Sequence, residues 1–544
     1  MELIKNLIKY VVILIVVALF AVAIFAGILF IFPNMSLFGF KYRSNHDDNF
    51  AIFTDMKNSV TKINVETNNY DITIMPNANE TIKDTVNNNL RIVIHNDYMG
   101  FINNDVLTTE IQDIQDENNT VAVNKFDSLN VATIRNGSEF TIKLIEPKGI
   151  LTYGNSSVII YVPEELLSAE YNLKTDKGNI SFAKNSLVKD VRVSTSDISV
   201  AVSSAKGTIN LDNIKMESGS NLKIVTYLGK VTIDNEYLGN VEIISNTGNF
   251  TFKSIGYEQG GLVIGGNLTV TGNNPAIKAD KIYGNVNFGL LDSQITTGYI
   301  EVKEIKGTGI FNTKNGTIKI DKLNGAIDCR NESGTTTINQ IGTTTATSNF
   351  ANFIVKSGTL NLGKTSSDEN AGIYNNLQIS SESGRVVINE LKSLKTEVSA
   401  TSGTVEINYN KSEIAKELIA KTTSGQIKLT NLCGNVTAES GTSGVNASYY
   451  AFNGTSTLKT DSGNITISVP AATTDATKQY KVHFKNKNNK LNIALGGTIV
   501  SAFSGDKNED GYYEYTKTFP ETSSTTSIID VTTISGKISL SEKD

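Results

Sequence analysis

Short runs in which every second residue is apolar recur along most of this chain, and each run follows a glycine. After Gly403 come Val405 and Ile407, and after Gly425 come Ile427 and Leu429. The same phrase stands at Gly178, Gly207, Gly229, Gly248, Gly266, Gly298, Gly316, Gly358, Gly384, Gly463 and Gly536. A weaker copy follows Gly334, with Thr336 and Ile338 in the apolar places. Strict alternation marks a half-buried strand, because successive side chains point to opposite faces. The glycine ahead of each run is expected to supply the positive φ of a tight corner. A second corner lies between these, at Leu238-Gly239-Asn240-Val241, Leu323-Asn324-Gly325-Ala326-Ile327 and Leu432-Cys433-Gly434-Asn435-Val436.

The spacing is regular. Gly298, Gly316 and Gly334 are 18 residues apart, and Gly239 to Gly248, Gly307 to Gly316 and Gly325 to Gly334 are each 9. A repeat of two short strands and two corners is the mark of a solenoid. With coils about 4.8 Å apart, about fifteen of them between Gly178 and Gly463 predict a rod on the order of 70 Å long. Antiparallel sandwich domains share short, evenly spaced strands, but the constant offsets favour the solenoid. The expected fold is all-β: a long β-solenoid of the parallel β-helix or β-roll kind, preceded by one N-terminal transmembrane helix.

That helix is expected over residues 10–32. Tyr10 to Phe32 is a run of 23 residues without a charge or a strongly polar group, and about 20 suffice to span a bilayer. Ala21-Val22-Ala23 resembles a signal-peptide cleavage site, yet the apolar run continues past it. The reading is an uncleaved anchor. Lys5 and Lys9 precede it, Lys41 and Arg43 follow it, and the closer basic pair places the N-terminus inside and the large C-terminal part outside. Taken in order, the chain reads as a tail (1–9), the anchor (10–32), a stalk (33–58) and an N-terminal β region with a long polar insert (59–157). The solenoid repeats follow (158–470), then a C-terminal β region and cap (471–544) that an array needs to close its open sheet end.

Composition narrows the function. Hydrophobic content of 39% is that of a folded chain, and only 7 prolines interrupt its strands. The net charge of −6 offers no basic excess to hold a phosphate backbone, so no nucleic-acid partner is expected. Cys329 and Cys433 give no disulfide framework. Cys329 lies five residues before Gly334, the offset that also holds Leu173, Ile224, Ile243, Phe353, Val398, Ala420 and Leu458, so it belongs to an inward column. The Asn-x-Ser/Thr triplets carry no glycosylation meaning in so Asn- and Thr-rich a chain.

No residue stands out as catalytic, cofactor-binding or metal-ligating. Asp506, Asn508 and Asp510 with Gly511 match the opening of a calcium loop, but the twelfth position is Lys517 where a bidentate Glu is needed. The alternative is a polar hairpin tip. His46, His95 and His483 stand alone in sequence. No Gly-x-Ser-x-Gly elbow occurs, and a carboxylate pair on neighbouring coils would leave no readable spacing. The chain has no tryptophan, which lowers a sugar-binding reading. Tyr449, Tyr450, Tyr512, Tyr513 and Tyr515 remain as aromatic candidates, with packing as the simpler role. No enzyme and no cofactor are expected.

The segment VIIYVPEELLSAEYNLKTDKGNISF, residues 158–182, has an apolar strand ending in Pro, a short gap, a strand, a glycine corner and another strand. It resembles a bacterial adhesin family of glycine-punctuated β-solenoid repeats, a domain of unknown function on membrane-anchored envelope proteins. Residues 63–76 are similar to that family's first strand pair and residues 528–540 to its last, and the likeness extends over about 60–540. The insert near 100–130 and the irregular stretch 471–525 depart from it. The resemblance implies a β-solenoid on the bacterial envelope and brings no agreed active site. The expected function is a non-enzymatic, membrane-anchored surface protein, held by residues 10–32, whose rod serves adhesion or binds other envelope proteins or wall polymer. The alternatives are a self-assembling structural scaffold and an envelope-stress sensor acting through a membrane partner.

Overall fold

The computed structural model describes residues 2–31, 40–45, 48–53, 60–76, 90–95, 97–103, 121–126, 129–145, 148–153, 156–163, 169–182, 199–204, 208–211, 221–228, 230–237, 239–341, 350–363, 376–391, 393, 395–409, 411, 416–473, 475–521 and 524–543. The polar insert at 104–120 and His46 lie outside them. The chain forms two compact units, Met1–Asn235 and Glu236–Asp544. Both are β-solenoids, as the alternation predicts.

In the second unit each coil gives one strand to each of two parallel ladders. One ladder runs through Tyr299–Ile305, Thr317–Leu323, Thr335–Ile341, Thr359–Leu362 and Arg385–Leu391 to Ile465–Val469. The other runs through Gly309–Thr313, Ile327–Asn331, Phe350–Val355 and Asn376–Ser381 to Thr455–Thr460. The register keeps like residues over like. Ile300, Ile318, Thr336, Leu360, Val386, Val405, Ile427, Val445 and Ile465 form one column, every member buried. Phe311, Cys329, Phe353, Ile379, Val398, Ala420, Ala438 and Leu458 form a facing column, also buried. Cys329 thus fills the inward place that its offset predicts, a small side chain stacked between two phenylalanines.

The corner glycines have a different cause from the expected one. Gly316, Gly334, Gly358, Gly384, Gly403 and Gly425 are absent from the residues of positive φ. They are required because the coils approach too closely for a side chain. A Cβ on Gly334 would lie 1.8 Å from the carbonyl oxygen of Gly316; on Gly358, 2.0 Å from that of Gly334; on Gly403, 1.8 Å from that of Gly384; and on Gly425, 1.9 Å from that of Gly403. Each corner carbonyl points into the corner above, where Thr335 N–H takes that of Gly316 at 3.1 Å and Thr359 N–H that of Gly334 at 3.0 Å. Gly266 belongs to the other corner: it bonds to Gly239 and Gly284, has φ +89°, and Pro275 is the residue that pairs with Gly248.

Both units end in the same way. In the second, the C-terminal coil, Ile528–Thr533 and Ile538–Glu542, stacks directly on Thr455–Thr460 and Ile465–Val469. The segment between them in sequence lies beyond it: Tyr480–Asn486 and Leu491–Leu495 pair in parallel with the C-terminal coil. Antiparallel strands Tyr513–Phe519 and Thr498–Val500 then close the two ladders. The expected cap is therefore the segment 480–519, and the last residues of the chain are threaded beneath it.

In the first unit, Lys62–Thr67 and Asp71–Pro76 are interposed between Glu139–Ile145 with Ser157–Val162 on one side and Glu170–Thr175 with Ile180–Phe182 on the other. Closing strands again run antiparallel, with Leu129–Asn136 on Glu139–Ile145 and Leu90–His95 on Ser157–Val162. Within 33–58, expected as a stalk, Asp48–Phe53 adds to this closing sheet and Phe40–Asn45 joins Tyr98–Asn103 and Lys148–Tyr153 in a separate three-stranded sheet. The N-terminal helix, Glu2–Ile31, precedes them. Its segment Ile8–Ile28 is long and apolar enough to cross a membrane.

Candidate binding surface

A solenoid strand exposes the residues between its buried ones, so one outward side chain per coil repeats up the stack. Over the three successive strands Leu268–Ile282, Tyr299–Ile305 and Thr317–Leu323, those side chains alternate in charge from coil to coil. Lys278, Glu301 and Lys319 are successive partners in one column, and Lys281, Glu304 and Lys322 in the next. Lys319 Nζ lies 2.6 Å from Glu301 Oε1 and Lys278 Nζ 3.6 Å from its Oε2. Lys281 and Lys322 reach Glu304 at 3.1 and 3.5 Å, and Lys303 reaches Asp280 at 2.7 Å. Farther along, Glu406 is held by its column partner Lys428 at 2.9 Å and, from a diagonal position, by Arg385 at 3.3 Å.

These charges satisfy one another. The Lys319 ammonium, with the Tyr299 hydroxyl donating at 2.7 Å, holds the Glu301 carboxyl down to about 2. Lys428 and then Arg385 hold Glu406 below the ordinary carboxylate range, and Lys356 does the same for Glu332. Adjacent opposite charges leave little net field on the face, so a partner there meets amides, hydroxyls and paired ions.

Two polar ladders complete the stacking, and both were legible as patterns that alternation alone does not reveal. The first is a small polar residue three places before the corner glycine, turned inward. Asn331 Nδ2 donates to Gly316 O at 3.0 Å while its Oδ1 accepts from Gly334 N at 3.1 Å. Thr422 and Thr460 donate to the carbonyls of Gly425 and Gly463 at 2.7 and 2.6 Å. The second is the Gly-Asn dipeptide. Asn240 Oδ1 accepts from Asn267 N, Asn267 Oδ1 from Asn285 N and Asn285 Oδ1 from Thr308 N, at 3.1, 2.9 and 2.9 Å. Asn435 and Asn464 do the same with Thr455 N and Lys537 N, at 2.9 and 2.8 Å.

The candidates from sequence are dispersed. Asn508 shapes its own turn, with Oδ1 accepting from Tyr512 N at 2.9 Å and Nδ2 donating to Glu514 at 2.7 Å. Asp506 and Asp510 are exposed. Among the described residues no group of three His, Cys, Asp or Glu side chains is gathered as a metal ion would require. His95 lies on the closing strand of the first unit. His483 sits in the cap with its ring nitrogens 3.5 Å from Asp530 and 3.9 Å from Glu514. The five tyrosines pack. Tyr449 is buried against Phe452, Tyr515 stacks on Phe484, Tyr513 stacks on Phe503, and Tyr450 and Tyr512 each carry a lysine ammonium over the ring.

Residues 311–485 match the Toastrack DUF4097 family. The match spans about a third of the chain and falls wholly inside the second solenoid. It marks an uncharacterised repeat domain and carries no activity with it. No curated protein and no solved structure matches the chain.

Proposed function

We propose that the chain is a non-enzymatic, membrane-anchored surface protein that presents its Toastrack-like solenoid for adhesion or for binding other envelope proteins or wall polymer. The observation that carries this reading is the fusion of an apolar helix to a closed solenoid. Ile8–Ile28 has 21 residues, which at about 1.5 Å each match the roughly 30 Å hydrocarbon core. Its side chains from Ile8 to Ile24 are almost all exposed, as lipid-facing residues are. The mechanism is passive: the helix retains the protein at the membrane, and the repeating outward columns offer an extended surface.

The scaffold alternative is less well supported. End-to-end assembly of solenoids uses open parallel edges, whereas antiparallel strands close the last coil of the second unit and the first coil of the first. Light scattering of the purified protein in detergent separates the two readings, since a monodisperse monomer fits display and open-ended growth fits a scaffold. For adhesion itself, cells with and without the protein are compared for retention on immobilised cells and wall polymer. A several-fold loss without it is expected. Equal retention, together with no binding by the purified chain, would remove the adhesive role.

A further inference from the structure

We infer that the three-stranded sheet Phe40–Asn45, Tyr98–Asn103 and Lys148–Tyr153 is a second membrane contact, seated at the lipid headgroups and selective for anionic lipid. The inference rests on the reading of the helix as a retained anchor. Its first support is position. Phe25 lies in the last turn of the candidate span, and its ring meets Phe101 of the middle strand with centroids 6.4 Å apart. Phe25, Ala26 and Gly27 are half-buried, whereas residues 8–24 before them are exposed. A helix that crosses the hydrocarbon core and touches this sheet in the last turn of its span brings the sheet to the membrane surface.

The second support is composition. The strands read FKYRSN, YMGFIN and KGILTY. They contain Phe40, Tyr42, Tyr98, Phe101 and Tyr153, three basic residues (Lys41, Arg43 and Lys148) and no acidic one. The chain as a whole is acidic, with a net charge of −6. Aromatic residues concentrate at the headgroup level of bilayers, and each lysine or arginine near an anionic surface adds to binding. The third support is connection. Each strand is joined, across a two- or three-residue gap, to a strand at the closed end of the first solenoid: Phe40–Asn45 to Asp48–Phe53, Tyr98–Asn103 to Leu90–His95, and Lys148–Tyr153 to Ser157–Val162. The small sheet therefore lies between helix and stack, and seating it on lipid fixes the first solenoid against the membrane at more than the single point of the helix.

The absence of tryptophan makes the test clean. The full chain carrying Tyr42→Trp, and separately Tyr153→Trp, is reconstituted into vesicles of phosphatidylcholine with and without phosphatidylglycerol, using lipids brominated on the acyl chains as quenchers. Tyr227→Trp serves as control, since Tyr227 is exposed and its coil lies four steps along the stack from Glu139–Ile145. Intact mass is measured first; loss of the N-terminal segment would defeat the anchor reading itself. With the anchor retained, emission from both sheet positions is expected to fall about twofold relative to the control, as for an interfacial indole. Phosphatidylglycerol should deepen the quenching, and Lys41→Gln/Arg43→Gln/Lys148→Gln should cancel that increment. Unquenched emission at both positions overturns the contact, and quenching indifferent to phosphatidylglycerol overturns the anionic selectivity.

Discussion

At a corner of this fold a single atom decides whether two coils can stack. A methyl group on Gly334 would stand 1.8 Å from the carbonyl oxygen of Gly316, and that oxygen is fixed by hydrogen bonds from Thr335 N and Asn331 Nδ2. Gly334→Ala should therefore cost about 3 kcal/mol, the upper range for overpacking, because the obstacle is backbone. Gly260→Ala meets nothing within 4 Å and should cost about 1 kcal/mol, through its φ of +60° alone. Urea unfolding of the two variants checks the contrast; equal losses would return the corner glycines to the role of turn formers. The positions of these glycines were legible in the sequence, but their cause was not. A glycine needed for φ and one needed for close approach look alike until the neighbouring coil is in place. Cys329 shows the opposite case. Its offset from Gly334 identified its column, burial pushes its thiol up to about 12, and it should resist maleimide in the native protein and react only after unfolding.

At the level of strands, the charge columns and the threaded coil govern register and closure. Glu301→Gln should lower stability by about 0.5–1 kcal/mol near neutral pH, a modest figure because the pair is solvent-accessible. The sign of its pH dependence follows from the depressed carboxyl. The contribution is complete above the ordinary value of 4.5 and disappears as pH falls toward about 2. Urea midpoints of the variant and the parent should thus converge over that window and stay apart above it. A larger effect belongs to the C-terminus. Deleting residues 524–544 removes the coil that pairs with both Thr455–Thr460 and Tyr480–Asn486. It should open two parallel edges, detach the cap and produce aggregation, whereas cutting at an outer loop of the repeat should not. The period of the repeat could be read from Gly298, Gly316 and Gly334. The threading could not, because spatial order is set by which distant strands pair, and residues 528–542 carry the same phrase as any other coil.

At the scale of the whole molecule, an apolar helix is joined to solenoids with closed ends, and the proposed display role requires the solenoids on the outer face of a membrane. The all-β class, the helix and the two-corner repeat were all carried by local pattern, which is why the sequence sufficed for them. A partner-binding face was not, since the outward columns mix polar and charged residues and the paired charges are matched between coils. The side of the membrane on which the solenoids lie tests the display reading most directly. Cys329 and Cys433 are both buried, so an added exposed cysteine can be labelled against a quiet background. Ser504 is exposed and suits the purpose. Intact cells producing the Ser504→Cys protein are treated with a membrane-impermeant maleimide, and a parallel sample is treated after lysis. Labelling of equal extent in intact and lysed cells is the predicted result. Labelling only after lysis would place the solenoids behind the membrane and contradict the account.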